Sequence, residues 1–350
     1  MKEINFKDFK VIPILSSIKR IDMSDEEYFS KTYRDYVSNS RLKNINPVEG
    51  GSPSLYKNPP HFSTQSLVVG SAVHERLLQP ESFELAPKMG RPTAKLGNCI
   101  DAAIKYRKQG YSIYESIIKG SNDADYYVGR LTYSRIKSIL KAGLPYYFAQ
   151  KNLKGTEIVL SDSDYDTVTS CIKSVENNSE IINTLYPETA FGDKIPSYNE
   201  DAFFMDYIVM YKDKATILKY KMKIDNWTID TENKILTLND LKTSYKPASW
   251  FMNPEYGSMY HYHYYRQFAL YGDILQLYCM KEYGYTPKIW DFKANVLVVS
   301  TSDPYESQCF PINDNLIKKG RREYMQLLKR VAYYEIFGYE EEVKFICFSL

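Results

Sequence analysis

Lys221-Met-Lys223-Ile-Asp225 and, after a short turn-rich link, Ile235-Leu-Thr-Leu-Asn-Asp240-Leu-Lys242 are the segments on which the reading of this chain turns. Both have the apolar, β-branched texture of strands. A hairpin between them brings Asp225, closing the first, beside Asp240, closing the second. Asp240 and Lys242 are two residues apart and share one face of a strand. Leu241 then points into packing, with its backbone carbonyl still free to face a bound ion. Two carboxylates and a carbonyl suit Mg²⁺, which takes few protein oxygens and keeps most of its waters. A lysine in the same place can orient a water or stabilise charge developing on a phosphate. The plain alternative for an isolated Asp-x-Lys is a surface salt bridge. Against it stand the apolar run leading into Asp240, where a charge is costly without a partner, and the second Asp at the matching place.

Working outward, the texture changes near Pro196. Phe203–Lys212, Ala215–Asp225 and Lys234–Lys242 read as an antiparallel meander. A long amphipathic helix is expected from about Pro254 to Tyr283, then a strand within Lys288–Thr301. A short strand near Gln308–Ile312 and a basic helix at Asn313–Phe337 follow. A helix between strands makes the next strand a crossover, expected right-handed, and the sheet mixed. Upstream, residues 25–60 read as a helix, a polar turn at Ser38–Ser40 and a loop from Pro47 to Pro60. Ser66–Leu78 reads as a helix closed by Pro80, and Lys88–Gly97 as a loop. Helical pieces follow at Asn98–Gly110, Ile113–Gly120, Asn122–Ala142 and Asp162–Thr184.

The expectation is a single domain over residues 1–350. A mainly helical part, 1–195, carries a candidate helical insertion at 90–190. A mixed-sheet core spans 196–312, and a C-terminal helix and tail span 313–350.

Two further stretches join the candidate site. The segment Met259-Tyr-His-Tyr-His-Tyr-Tyr-Arg-Gln267 puts Gln267 and Tyr271 one helical turn apart, and Tyr260 and Tyr264 extend that face. An amide and a phenol there can donate to phosphate oxygens or orient the lysine; the alternative is a Tyr-rich helix packed on the sheet. His261 and His263 fall off the stripe and read as surface residues. In Val69-Gly-Ser-Ala-Val-His74-Glu75, His74 is either a satisfied structural histidine or an extra metal ligand through a neutral imidazole.

Bulk properties bound the rest. With 44% hydrophobic and 25% charged residues the chain is an ordinary globular one, large enough for a sizeable core. Its net charge of +2 neither demands nor excludes nucleic acid. Lys212, Lys214, Lys219, Lys221 and Lys223 form one basic stretch. Lys318, Lys319, Arg321, Arg322, Lys329 and Arg330 form another; each is either a binding face or simply solvated. Cys99, Cys171, Cys279, Cys309 and Cys347 are scattered, which argues against a zinc site, an iron–sulfur cluster or a disulfide framework and fits a reducing cytoplasm. No signal peptide or run of about 20 apolar residues is evident.

Taken in order, Gly-Ser-Ala-Val-His74, Asp225, Asp240-Leu-Lys242-Thr and Gln267-x-x-x-Tyr271 resemble the PD-(D/E)xK nuclease superfamily, on its RecB-like branch. Within that branch the chain looks most like phage exonuclease VIII (RecE-like) proteins. Ser38-Asn-Ser-Arg-Leu42 with Pro53, Tyr56 and Lys57 resembles the opening of that group. The similarity spans roughly residues 28–82 and 200–300. It implies an α/β, restriction-endonuclease-like core, a mixed central sheet flanked by helices, with a helical N-terminal or inserted region. It implies His74, Asp225, Asp240 and the Leu241 carbonyl as metal ligands, with Mg²⁺ as cofactor and Mn²⁺ able to substitute. Lys242 would be the catalytic lysine, and Gln267 and Tyr271 would support the site and contact DNA. An acidic residue on the first strand, Glu200 or Asp206, would join them. The implied activity is that of an exodeoxyribonuclease acting on double-stranded DNA ends in phage or prophage recombination or repair. The implied assembly is a homo-oligomer working in the cytoplasm with a single-strand annealing protein, without a membrane. A structure-specific or restriction-type endonuclease, and a catalytically retired DNA-binding protein on the same fold, are the alternatives. Two departures stand out: Lys-Met-Lys-Ile-Asp225 replaces the Gly-x-x-Asp ending of many relatives, and the Asn226–Asn233 link can shift the hairpin register.

Overall fold

The computed structural model describes residues 2–59, 64–80, 91–92, 94–152, 160–340 and 343–346. In chain order its elements are β1 (Lys2–Asn5), β2 (Phe9–Ile21), α1 (Asp25–Tyr28), α2 (Asn39–Ile45), α3 (Pro53–Lys57), α4 (Gln65–Leu78), α5 (Ala94–Lys108), α6 (Ile113–Asp123), α7 (Tyr133–Asn152), α8 (Asp162–Glu176) and α9 (Ser179–Leu185). Then come β3 (Ser197–Tyr211), β4 (Lys214–Asp230), β5 (Ile235–Ser244), α10 (Ser258–His261), α11 (Tyr264–Tyr283), β6 (Asp291–Ser300), β7 (Ser307–Pro311), α12 (Asp314–Phe337) and β8 (Val343–Ile346). The chain divides into two units, one of residues 1–62 with 174–350 and one of residues 63–173.

The first unit is built on a six-stranded mixed sheet in the order β2-β3-β4-β5-β6-β7. Strands β3, β4 and β5 form the antiparallel meander read from the sequence. β5 and β6 pair in parallel across the α11 connection, as the strand–helix–strand pattern requires, and β7 returns antiparallel. The mixed α/β class, with a sheet flanked by helices, is therefore the observed one. Asn313 caps α12, its Oδ1 accepting the Leu316 N–H at 3.0 Å.

Several boundaries differ from the sequence reading, each for a local reason. β2 was not anticipated. It is an edge strand pairing only with β3, it contains Pro13, and it is bulged between Ile14 and Lys19, so it shows no clean alternation. β4 does not close at Asp225 but runs on to Asp230. The Asp230 carboxylate there accepts the N–H groups of Glu232 and Asn233 at 3.0 and 2.9 Å and makes the turn. The expected Pro254–Tyr283 helix is split, because His263 adopts a left-handed backbone (φ +54°) between α10 and α11. Asn178 likewise caps a new helix and divides the Asp162–Thr184 segment into α8 and α9. Ser38–Ser40 is no turn: Ser38 caps α2. The Asn122–Ala142 piece becomes turns over 124–132 before α7 begins. Of the Lys88–Gly97 loop, residues 88–90 and 93 lie outside the described residues, while Ala94–Gly97 belongs to α5. Pro60 and Cys347 also lie outside the described residues.

The core of the first unit fills the space between the sheet and helices α11 and α12. Phe268, Leu270, Ile274 and Leu275 of α11 are buried against Phe203, Met222, Leu238 and Val296 of the sheet. Each such side chain contributes about 1.5–3 kcal/mol on burial. The two helices touch closely where Gly320 faces Tyr265; a Cβ there would sit 2.1 Å from the Tyr265 carbonyl oxygen. Residues of the first lysine stretch differ in what covers them, although Lys219 and Lys221 stand two apart on β4. Lys212, Lys214 and Lys219 are exposed, but Lys221 is buried and donates to the Tyr28 carbonyl at 2.6 Å, so the stretch is not one solvated face.

The second unit is helical. Cys99, Ile100, Ala103, Ile117 and Ile139 form its core, with α5 and α6 in contact through Gly120. A buried Arg91 pairs with Asp101 at 2.7 Å, and Tyr146 donates to the same carboxylate at 2.6 Å.

Candidate active site

The β4–β5 ladder runs from Asp230 and Ile235 to Asn226 and Asn239, and stops there. One residue further along each strand stand Asp225 and Asp240. Across the opening the Leu241 N–H donates to Asp225 Oδ2 at 2.8 Å, so the carboxylate replaces the missing ladder contact. The fork therefore holds two acidic side chains at a place where the sheet's own hydrogen bonding has ended.

A row of asparagines sets the register that creates this fork. Asn199, Asn226, Asn239 and Asn295 lie side by side on β3, β4, β5 and β6. Asn226 Nδ2 donates to Asn199 Oδ1 at 2.7 Å, Asn239 Nδ2 to Asn226 Oδ1 at 2.7 Å, and Asn295 Nδ2 to Asn239 Oδ1 at 2.9 Å. Asn239 also donates to the Thr184 carbonyl of α9 at 3.0 Å. Buried amides of this kind are expensive unless every partner is in place, so a one-residue slip would break the whole row. Because strand side chains alternate, Asn239 on one face of β5 places Asp240 on the other, where Gln267 of α11 reaches it.

Asp240 is buried, and both its oxygens are engaged. Gln267 Nε2 donates to Oδ1 at 2.6 Å, and Lys242 forms an ion pair with Oδ2. Gln267 thus orients a carboxylate. The Lys242 ammonium lies 5.2 Å from the centre of the Tyr264 ring and 3.4 Å from the Leu241 carbonyl oxygen. Burial would lower its pKa, but Asp240 and Asp225 outweigh this and hold it above its ordinary value, so it is a fixed cation at neutral pH. Tyr271, one turn beyond Gln267, has its phenol pushed well up by burial and then by Tyr28, Asp240 and Asp225. It keeps its proton and remains a donor.

Glu200 completes this group. It lies on β3 between Asn199 and Asp201, which pair with Asn226 and Ile224 on either side of Asp225, and it has a left-handed backbone (φ +55°) that few non-glycine residues adopt within a strand. Carboxylate oxygens of Glu200 and Asp225 lie within 4.8 Å of each other. Burial raises both pKa values; Asp225 adds to the effect on Glu200, which is pushed up to about 7. Lys223 bridges Glu200, at 2.7 Å, and Asp25. Asp206, the other acidic candidate on β3, is six residues along the strand, opposite Lys219, and does not join the site. Two carboxylates held together in partial burial, both resisting ionisation, form a donor set suited to a divalent cation.

Asp225, Asp240, Lys242, Gln267, Tyr271 and the Leu241 backbone are thus gathered in one place in the first unit. His74 lies on α4 in the second unit, partly buried. Sequence reasoning left Glu200 undecided and took Lys223 only as part of a basic stretch. Their spacing to Asp225 was the available signal, since 223 and 225 share a strand face.

His263 is also no incidental surface residue. Its Nδ1 is 2.8 and 2.9 Å from the two oxygens of Glu323. Arg266, almost wholly buried, binds Glu323 at 2.7 Å and also Glu49, and takes Asn39 Oδ1 at 3.0 Å. Among the described residues, no helix is long and apolar enough to cross a membrane.

Comparison with known proteins bears on the same residues. No curated protein matches the chain. Among solved structures, a candidate exonuclease from Eubacterium rectale is 12% identical, with a TM-score of 0.48, covering 92% of this chain and 89% of its own. A protein from Vibrio cholerae is 12% identical, with a TM-score of 0.16, covering 80% of this chain and 58% of its own. The model of the PDDEXK-like domain of unknown function, DUF3799, matches residues 140–335, a span holding Glu200, Asp225, Asp240, Lys242 and Gln267. That match takes in more than half of the chain and the entire acidic fork, and the protein belongs to this PDDEXK-like family of the PD-(D/E)xK superfamily.

Proposed function

We propose that this protein is a Mg²⁺-dependent deoxyribonuclease, and specifically an exonuclease that degrades one strand of linear double-stranded DNA. The observation that carries the reading is the fork itself: Asp225, with Glu200 within 4.8 Å, and Asp240 flank the opened end of the β4–β5 ladder beside a lysine held cationic. A divalent cation bound there would polarise a phosphodiester oxygen and make its bound water a stronger nucleophile. The protein's own groups do the rest. Asp225 and Asp240 hold the cation, joined by Glu200 and, on the sequence resemblance, by His74 and the Leu241 carbonyl. Gln267 fixes the rotamer of Asp240 by binding its other oxygen. Lys242, already charged, faces the negative charge that grows on the phosphate in the transition state and needs no proton transfer to do so. The Tyr271 hydroxyl is available as a donor at the rear of the site.

The RecE-like resemblance extends the proposal to a phage or prophage recombination role in the host cytoplasm. It also extends it to a homo-oligomer acting at duplex ends, with a single-strand annealing protein receiving the exposed strand. The test is digestion of linear duplexes labelled at the 5′ or the 3′ end, beside a closed circular duplex, with Mg²⁺ and with chelator. Loss of one label from linear DNA, an intact circle and silence in chelator are expected. Cutting of the circle would make the protein an endonuclease. DNA retention without turnover in Mg²⁺ or Mn²⁺ would make it a retired binding protein.

A further inference from the structure

The connection from β5 to α11 begins just after Lys242 and keeps four aromatic rings at the surface. Tyr245 is 84% exposed, Trp250 47%, Tyr256 44% and Tyr262 47%. The connection is nevertheless firmly framed. Ala248, Phe251 and Met259 are buried beneath it. Asn253 Oδ1 accepts the N–H groups of Glu255 and Tyr256 at 2.9 and 3.3 Å. The Lys246 ammonium donates to the Tyr256 carbonyl at 3.2 Å, and Ser302 Oγ to the Tyr245 carbonyl at 2.8 Å. At Gly257 the turn is so tight that a Cβ would meet the Asn253 carbonyl oxygen at 2.4 Å. A frame that buries Phe251 and Met259 yet holds their aromatic neighbours in water leaves apolar surface uncovered in a fixed arrangement.

These rings are continuous with the catalytic lysine. Lys242 lies over Tyr264, whose ring stacks on Phe251 at 5.7 Å with planes 7° apart and lies 5.7 Å from Tyr262. Trp250 and Tyr256 meet edge to face at 5.2 Å. The ammonium of Lys43 stands 5.9 Å from the Tyr262 ring centre. Flat ring faces with ammonium groups among them, beside a site for a phosphodiester, match the chemistry of unpaired nucleobases on their phosphate backbone.

We propose that this connection is a stacking platform for the unpaired bases of a single strand at the mouth of the site. The strand's identity as substrate rests on the nuclease reading above; its binding does not, and can be measured apart from cleavage. Trp250 is the exposed tryptophan, since Trp227 and Trp290 are buried, so its emission reports on stacking directly. The protein is titrated in chelator with single-stranded oligo(dT) and with blunt duplex. Oligo(dT) should quench the emission saturably, and Trp250→Ala should weaken oligo(dT) binding about fivefold or more. Trp250→Phe, which keeps a stacking ring, should retain most of the affinity. Emission unmoved by oligo(dT), with Trp250→Ala binding as tightly as wild type, overturns the platform and leaves the face to a protein partner. If linear DNA is digested all the same, the nuclease reading survives that failure. Quenching without any digestion supports the platform and removes the nuclease reading instead.

Discussion

Two acidic clusters in the first unit use the same residue types and reach opposite electrostatic states. Glu49 and Glu323 close around Arg266, with His263 on the outer side. Burial would raise the Glu323 carboxyl, but His263 and Arg266 pull it below its ordinary value. Glu200 and Asp225 face each other at the fork. Lys223 lowers both carboxyls and Lys242 lowers Asp225, and burial still wins, so both remain raised. Geometry alone would nominate either cluster for a metal ion. The difference is that one encloses its own cation, a planar guanidinium that satisfies two carboxylates at once, whereas the other is met by separate lysine ammonium groups that do not offset the burial of its carboxyls. The first is a latch joining α2, α11 and α12; the second is the place where the proposed divalent ion would bind.

The comparison can be broken by substitution. Asp240→Asn preserves shape and removes the charge, and should lower Mg²⁺-dependent digestion of linear duplex by about 10³-fold or more. Circular dichroism should show an unchanged fold, and digestion at the wild-type rate would remove the fork from the chemistry. Arg266→Met acts on the other cluster. It leaves Glu49 and Glu323 buried without their cation and should cost about 3–5 kcal/mol in urea unfolding. A loss under about 1 kcal/mol would mean that the latch is not what holds α2, α11 and α12 together.

The smallest effect is the most diagnostic. Glu200 has a native pKa of about 7, above its ordinary value. The folded, metal-free protein therefore binds this proton more tightly than the unfolded chain. The stability it contributes is complete below the unfolded pKa and fades as pH rises through about 7. Mg²⁺ affinity should rise over the same window, because the ion needs the carboxylate. Glu200→Gln should flatten the pH dependence of the metal-free melting temperature and shrink the gain on adding Mg²⁺. Melting curves from about pH 5 to about pH 8, with and without Mg²⁺, check this. An unchanged slope would place Glu200 outside the centre and erase the contrast with Glu49.

Much of this was legible without coordinates. Asp240, Lys242 and Gln267 follow from strand and helix periodicity, and they meet as that periodicity requires, with Gln267 bonded to Asp240. The meander and the parallel return through α11 were legible because their apolar runs are bounded by turn residues. The edge strand β2 was not, since only one neighbour pairs with it and Pro13 masks its texture. The end of β4 was misplaced because Asn226 and Asp230 favour turns, although Trp227, Thr228 and Ile229 between them favour strand. In the fold those asparagine and aspartate side chains are bonded across the sheet and around the turn. The His263 break was hidden for a similar reason: a left-handed histidine is unfavourable alone and persists only where its surroundings hold it, here with Glu323, sixty positions away.

The sequence by itself determined which residues are candidates for the chemistry and which strands and helix bear them. Alternation and helical spacing are local properties of the chain. Only the tertiary structure decided that Glu200 rather than Asp206 lies beside Asp225, that the β4–β5 ladder opens where it does, and that one acidic cluster encloses an arginine while burial keeps the carboxyls of the other raised. Those outcomes depend on register and on the burial of charge, and both are set by residues far apart in sequence that meet only in the folded sheet.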